Sequence, residues 1–385
     1  MLKESNRPKV LFIASNIPTP KLTTNDVVIS IAHKLSDPYS ISILHPTEFA
    51  PFPINCLKKY RHLGGIKLWN DGEIVIHPFK YLRLFGKKVA FLLLPFYNRK
   101  VKQYCKRLGI PNLIHAHYAL PDGYFASVLK QIYGIPYIIS FRSSDVRLMT
   151  SNDKSNTMKK MVTALNHADR IIVHNSTHQA LLHKLGYDSI LLPHGIDADF
   201  LKPKQQRGEK DEIVITTIGK LIPRKNIDWV IKAVKNYKGK KTLTLLIAGD
   251  GPLKKEIETL ITGYPNIKFL GTIKHETINE LLCDSDIFAL PSINETFGLV
   301  YIEATAHQNA VIGTKGTGIW GHFKENEEVL FCDSYSSFQK MLYELIDNDS
   351  LRNTIAKNAF DKTQSLFTWD KVIEKYHKIY RDCLT

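Results

Sequence analysis

Two glutamates, Glu295 and Glu303, stand with seven residues between them in the segment Pro291-Ser-Ile-Asn-Glu-Thr-Phe-Gly-Leu-Val-Tyr-Ile-Glu-Ala304. Upstream, Ile287–Leu290 is an apolar run of strand length, Pro291 ends it, and Phe297–His307 reads as a helix. One carboxylate therefore falls just before a helix and the other about two turns inside it. A helix N-terminus attracts anions through its free N–H groups and positive dipole end. Carboxylates beside it suit vicinal hydroxyls, because each accepts more than one hydrogen bond. A second anion site is written into Gly219-Lys-Leu-Ile-Pro-Arg-Lys-Asn226, where a glycine turn with cations follows one apolar run and opens a helix. Such a turn can hold a diphosphate and neutralise the charge that grows as it leaves. Phosphate and hydroxyl recognition together describe a nucleotide-sugar.

Spacing alone is weak, since 16 glutamates in 385 residues give roughly 0.7 such pairs by chance, the false-positive risk any motif carries. The context decides: Pro-Ser before, Phe-Gly-Leu inside, Glu-Ala after. With it the chain resembles the retaining glycosyltransferases of family 4, whose fingerprint is an E-x7-E in such a segment. The resemblance runs from about residue 9 to residue 380. It implies an α/β protein of the GT-B fold, with two Rossmann-like domains facing a cleft.

The resemblance also implies roles. Glu295 would hold donor-sugar hydroxyls and Glu303 the ribose diol. Lys220 and Lys225 would grip the donor diphosphate, with Arg224 compensating for lysine where relatives carry arginine. Gly219, Gly249 and Gly251 (in Ala-Gly-Asp-Gly-Pro252) would let backbone approach the nucleotide, and Phe297, Gly298 and Leu299 would line the donor site. His117, in Leu113-Ile-His-Ala-His, would reach the sugar, so that the catalytic candidates are Glu295, Lys225, Lys220 and His117. Asp145, in Ser140-Phe-Arg-Ser-Ser-Asp, would face the acceptor. Lone strand-end histidines are more often structural, and tight strand-to-helix turns need glycine in any case. Pro193-His-Gly-Ile-Asp197 resembles the interdomain segment, with His194 for asparagine, and Lys315-Gly-Thr-Gly318 is a weak glycine-rich loop. The clearest departure is the first turn, Pro18–Asp26, which lacks the glycine pair of relatives; Thr23, Thr24 and Asn25 remain as donors there, with Thr24 and Asn25 the acceptor-side candidates. The triplets Asp197–Asp199, Asp284–Asp286 and Asp347–Asp349 are assigned to no metal, and no cofactor is expected beyond the nucleoside diphosphate-sugar as co-substrate.

These residues must be positioned by alternating strands and helices, the pattern of parallel sheets. Strands are expected at Val10–Ala14, Ser40–Leu44, Ile74–His77, Leu113–His117, Tyr137–Ser140, Ile171–His174 and Ile190–Leu192. After a linker, Pro193–Lys210, they resume at Glu212–Ile218, Leu243–Ala248, Ile267–Leu270, Ile287–Leu290 and Val311–Gly313. A long helix is expected over Lys88–Leu108. The expected domains are 1–195 (acceptor-binding, Rossmann-like), 196–365 (nucleotide-sugar-binding, Rossmann-like) and a C-terminal helix, 366–385, packing back on the first.

Hydrophobic content of 44% and charged content of 23% suit a soluble globular chain. Five scattered cysteines without a C-x-x-C favour a reducing compartment. No signal peptide fits, and no apolar run approaches a membrane span. The charge is uneven: residues 1–200 hold 26 Lys+Arg against 13 Asp+Glu, and residues 201–385 hold 26 against 24. Between Glu73 and Asp122 there is no acid but nine cations, interleaved with residues such as Phe91, Leu92 and Phe96. Residues 80–107 thus suit an anionic membrane surface, or more plainly a solvated basic helix over an ordinary core. No nucleic-acid motif is present.

The resulting expectation is a metal-independent, hexosyltransferase-type retaining enzyme. It would use a nucleotide-sugar donor and a glycan or lipid-linked acceptor in bacterial surface-polysaccharide biosynthesis, in the cytoplasm at the inner face of the plasma membrane. A nucleotide-sugar epimerase of the same fold and a non-catalytic lipid- or nucleic-acid-binding protein stay open as alternatives.

Overall fold

The structure is a computed structural model that describes residues 7–19, 27–57, 67–82, 91, 93–151, 156–204 and 209–385. Thr23, Thr24 and Asn25 lie outside the described residues, as do Arg83, Lys87, Lys88 and Leu92. The chain divides into two compact units: Met1–Val173 with His178–Leu192 and Ile373–Thr385, and His174–Thr177 with Pro193–Val372.

The first unit is built on eight strands, β1 (Lys9–Ile13), β2 (Ser40–Phe49), β3 (Trp69–Asp71), β4 (Ile74–Leu82), β5 (Leu113–Ala116), β6 (Tyr137–Phe141), β7 (Arg170–Val173) and β8 (Ile190–Leu191). They lie in the order β3-β4-β2-β1-β5-β6-β7-β8, parallel except for the β3–β4 pair. Central strands read as unbroken apolar runs because helices cover both faces; Leu11, Ile13, Ile114, Tyr137, Ile139 and Val173 share one buried cluster. From β1 the chain builds outward to one side through β2 and β4, then crosses back to add β5 on the other side of β1, so the crevice at the carboxyl ends of β1 and β5 is the switch point where open α/β sheets bind ligands.

The second unit repeats this plan with β9 (Glu212–Ile218), β10 (Thr242–Ala248), β11 (Ile267–Gly271), β12 (Ile287–Ala289), β13 (Ala310–Thr314) and β14 (Leu330–Cys332). All are parallel, in the order β11-β10-β9-β12-β13-β14. Its switch point lies between β9 and β12. The two Rossmann-like α/β halves expected from the alternation of strands and helices are therefore present.

Several boundaries differ from the sequence reading. β3 and β14 are three-residue strands without periodicity, and the helix Ser143–Met149 is only seven residues long, so none gave a signal. The helix expected over Lys88–Leu108 is interrupted: Phe91 is helical, but a 3-10 turn spans Leu94–Tyr97 with Pro95 in it, and the regular helix runs over Asn98–Leu108. The segment read as a linker is docked. Ile196 bridges to Thr368, and the Lys204 ammonium donates to Asn309 Oδ1 at 2.7 Å.

Buried polar groups tie the elements of the first unit together. His115, fully buried, bonds Tyr380 Oη at 2.7 Å and Ser140 Oγ at 2.9 Å, which fixes the helix Trp369–Leu384 against β5 and β6. Burial, aided by the Arg142 charge, lowers the His115 pKa to about 3, so the ring is neutral and donates through only one nitrogen. Asp145 is also buried, and Arg142 N–H donates to its Oδ2 at 2.9 Å. Burial raises its pKa to about 7 against the opposing pull of the Arg142, Ala119 and Leu120 backbone groups and the Arg142 charge.

A folded-state carboxyl pKa above its unfolded value contributes stability that is complete below the unfolded pKa and lost as pH rises through the folded one. The Asp145 contribution therefore grows as pH falls from about 7 towards the usual 3.8. Removing the titrating group should steepen acid destabilisation: relative to wild type, Asp145→Asn should lose up to about 1.4 kcal/mol more per pH unit in urea melts between pH 7 and 5. Parallel stability profiles for the two proteins would contradict this.

Candidate active site

The second unit's switch point is formed by two loops. The loop after β9 carries Gly219–Asn226, and the loop after β12 carries Pro291–Gly298. Several contacts zip them together. Asn226 Nδ2 donates to Pro291 O at 2.8 Å, and Ile293 N–H donates to Arg224 O at 2.8 Å. Arg224 Nη1 approaches Glu295 Oε2 at 3.4 Å, and Lys225 Nζ forms a short ion pair with the same oxygen. Ser292 Oγ adds a third donor to it at 3.2 Å. All these donors converge on Oε2, which leaves Oε1 without a donor among the described residues.

Glu295 is largely buried, which by itself raises its pKa. Lys225 first, then Arg224 and Ser292, outweigh that and hold it below the usual carboxylate value. The carboxylate is thus ionised at neutral pH and works only as an acceptor. Lys225 is 8% exposed, its stem lying across Gly219, where an added Cβ would sit 3.7 Å from Lys225 Cε. The site holds a carboxylate, a buried ammonium and a half-exposed guanidinium in one crevice.

Two glycines serve backbone geometry. A Cβ on Gly249 would stand 1.9 Å from Gly219 O, so the turn after β10 must be bare for the β9 loop to pass over it. Gly251 meets Leu221 O in the same way, at 2.4 Å. These glycines therefore shape the Gly219 loop from beneath. Gly298 caps the helix Leu299–Ala306 at φ +82°, where a Cβ would also collide with the Tyr301 ring at 2.6 Å. The helix begins at Leu299 rather than Phe297, since the left-handed Gly298 cannot be its first turn. Glu303 lies in this helix at 7% exposure, and Leu299 at its half-buried start.

The remaining candidates fall in three groups. Lys220 is exposed and forms no ion pair among the described residues, leaving its charge available. Phe297 is a core residue at 1% exposure, with its ring between His194 at 5.2 Å and His322 at 5.3 Å. His117 and Asp145 belong to the first unit and are packed rather than presented. His117 is fully buried, stacked on His115 at 4.2 Å and tilted against Phe12 at 4.7 Å. Asp145 holds the Arg142 amide, so it positions the loop after β6. In the second and third D-x-D triplets, Asp286 pairs with Lys210 at 2.5 Å and Asp349 with Lys241 at 2.7 Å.

Two positioning residues were missed. Thr317 Oγ1 accepts from Glu295 N–H at 2.6 Å and donates to Glu295 O at 2.9 Å, clamping both backbone groups of the catalytic candidate. Asn175 Nδ2 donates to Thr296 O at 2.7 Å. The glycines flanking Thr317 after a strand were the available signal; for Asn175, distant in sequence, there was none.

The sequence profile of "Glycosyl transferases group 1" matches residues 199–362, and that of "Glycosyltransferase Family 4" matches residues 55–200. An uncharacterized glycosyltransferase of Methanocaldococcus jannaschii is 26% identical over 80% of this chain and 85% of its own. The putative teichuronic acid biosynthesis glycosyltransferase TuaC of Bacillus subtilis is 25% identical over 89% of each chain. Among solved structures, sucrose-phosphate synthase of Thermosynechococcus elongatus superposes with a TM-score of 0.76 at 19% identity, covering 98% of this chain and 99% of that one. Anabaena HepE in complex with UDP gives 0.71 at 17% identity, covering 97% and 100%. At such identities the structural likeness speaks for the fold, and it is the GT-B fold.

The Thr317 clamp is testable without substrate. Thr317→Val leaves the partly buried Glu295 N–H unpaired, while Glu295 O keeps the Gly318 N–H at 3.1 Å; this should cost about 1–3 kcal/mol of stability, measured by denaturant unfolding, while Thr317→Ser should restore it. Equal stability of the valine variant and wild type would remove Thr317 from this role.

Proposed function

Because the chain belongs to the family 4 glycosyltransferases, with the GT-B fold, we propose that it transfers a sugar from a nucleoside diphosphate-sugar to a hydroxyl of a glycan or lipid-linked acceptor, retaining the anomeric configuration. The observation that carries the donor reading is the convergence of Lys225, Arg224 and Glu295 at the carboxyl ends of β9 and β12. A diphosphate entering this crevice meets Lys225 and Arg224 and, with side-chain reorientation, Lys220. Glu295 Oε1 is free to accept from sugar hydroxyls, and Glu303 in the following helix takes the ribose diol. As the bond between the anomeric carbon and the phosphate oxygen breaks, the leaving diphosphate gains negative charge, which these cations stabilise. The leaving phosphate oxygen then accepts the proton of the attacking acceptor hydroxyl, so the scheme needs no enzymic nucleophile and no metal step.

The donor class is supported by the relatives' own ligands: the HepE structures hold UDP and UDP-glucose. UDP-sugars are therefore the first donors to try. Surface-polysaccharide assembly is supported by the similarity to the putative teichuronic acid enzyme. Among the described residues no helix is long and apolar enough to cross a membrane. The basic surface within residues 80–107 supports peripheral attachment to anionic lipid at the inner face of the plasma membrane.

Two measurements test the site. Lys225→Ala should lower turnover about 10²-fold or more, the scale of losing one stabiliser of developing charge; full turnover would remove Lys225 from the mechanism. In calorimetric titrations, Glu303→Ala should weaken UDP and UDP-sugar alike, whereas Glu295→Ala should weaken mainly the UDP-sugar. Identical effects of both variants on both ligands would show the roles to be misassigned.

A further inference from the structure

The helix Asn98–Leu108 and strand β4 enclose a groove of about 750 Å³ in the first unit, separate from the donor crevice of the second. It is lined by Lys80 and by Lys100, Tyr104, Lys106 and Arg107. Three features distinguish it from a solvated basic face. First, it is concave and fed from two elements: Lys80 comes from the strand and the other cations from the helix. Tyr104 Oη donates to Pro78 O at 3.2 Å and holds the helix against the strand. Second, β4 extends past the strand that pairs with it on this side. β3 pairs with β4 only over Ile74–Ile76, while β4 runs on to Leu82. Third, none of its four cations forms an ion pair among the described residues, and the Arg107 guanidinium lies over the Tyr104 ring at 5.8 Å rather than against a carboxylate.

The helix is amphipathic in a way that keeps the groove cationic. Val101 and Cys105 are its fully buried anchors, so Lys100, Lys106 and Arg107 are left at the surface. Sequestering four like charges in one concavity without counter-charge raises local repulsion, which an anion relieves. Arg107 offers a planar fork matched to phosphate oxygens, and the lysines add point charges around it.

We propose that this groove is a phosphate-binding site, distinct from the donor diphosphate site, for the phosphate of a lipid headgroup or of a soluble phosphorylated sugar. Its volume exceeds that of a bare phosphate and accommodates the adjoining headgroup or sugar. The inference deepens the reading of residues 80–107 as an anion-seeking surface, and it predicts a discrete pocket where that reading needs only diffuse charge.

The test uses the full-length chain, wild type and two variants: Lys106→Gln with Arg107→Gln in the groove, and Lys225→Ala in the donor crevice. Calorimetric titration with inorganic pyrophosphate should reveal two sites in wild type. The groove variant should keep only the crevice site, and Lys225→Ala only the groove site, each losing about tenfold or more in affinity at the altered site. Flotation with phosphatidylcholine vesicles containing phosphatidylglycerol identifies the source. If the groove variant also binds these vesicles at least tenfold more weakly than wild type, the phosphate is a lipid's. If vesicle binding is unchanged or absent in both proteins while the groove pyrophosphate site is lost in the variant, the ligand is a soluble phosphate. Where vesicle binding is absent in both proteins, the membrane reading fails and the groove stands. A single pyrophosphate site in wild type, abolished by Lys225→Ala and untouched by the groove substitutions, overturns the proposal.

Discussion

The ion pair between Lys225 and Glu295 is the constraint around which the second unit's site is arranged. It joins loops that leave two neighbouring strands, β9 and β12, at the point where the chain reverses its direction of travel across the sheet. Burying an ammonium and a carboxylate is costly unless both are paired and hydrogen-bonded. The structure meets that demand on the glutamate side with Arg224 and Ser292 at the carboxylate and Thr317 at the backbone. Without a ligand, Glu295 offsets only part of the positive charge that Lys225 and Arg224 bring to the crevice. In the reaction we propose, a diphosphate competes for the ammonium, and the glutamate thereby becomes available to hydroxyls on the attached sugar.

This arrangement explains why neighbouring elements look as they do. Gly249 and Gly251 are bare because the Lys225 loop crosses directly over them. Gly298 is left-handed because the chain must turn from the Glu295 loop into a helix within a few residues. Thr317 comes from the loop after β13, the strand beside β12, and so brings a third strand end to the site. The first unit meets a similar demand with neutral groups. Its switch point is floored by His115 and His117, stacked and fully buried, and His115 is pinned by Tyr380 from the last helix.

Much of this was legible in the sequence because the responsible signals are local. Apolar runs ending at Gly219, Gly249 and Pro291 marked the strand ends, and the helix Ile227–Asn236 follows from its 3.6-residue period. The pairing of Lys225 with Glu295 was not legible, since it joins residues seventy apart through a crossover that periodicity does not encode. Nor was the burial of His117, Asp145 and Phe297. Their motifs locate a strand end or a loop, but which way a side chain turns is set by packing against His115, Arg142 and His194, all distant or ambiguous in the sequence. The stretch Lys88–Leu108 read as one long helix because charged and apolar residues are interleaved there. Pro95 and the short 3-10 turn around it break that period, and the groove beside β4 appears only once strand and helix are packed.

The central claim is that Lys225 and Glu295 act as one unit toward a nucleoside diphosphate-sugar. A double-mutant cycle on UDP-sugar affinity, using Lys225→Ala, Glu295→Ala and the double variant, measures that coupling directly. The account predicts strong non-additivity, with a coupling of about 1 kcal/mol or more, as for residues in direct contact. Effects that add within about 0.3–0.5 kcal/mol, the behaviour of independent sites, would contradict it.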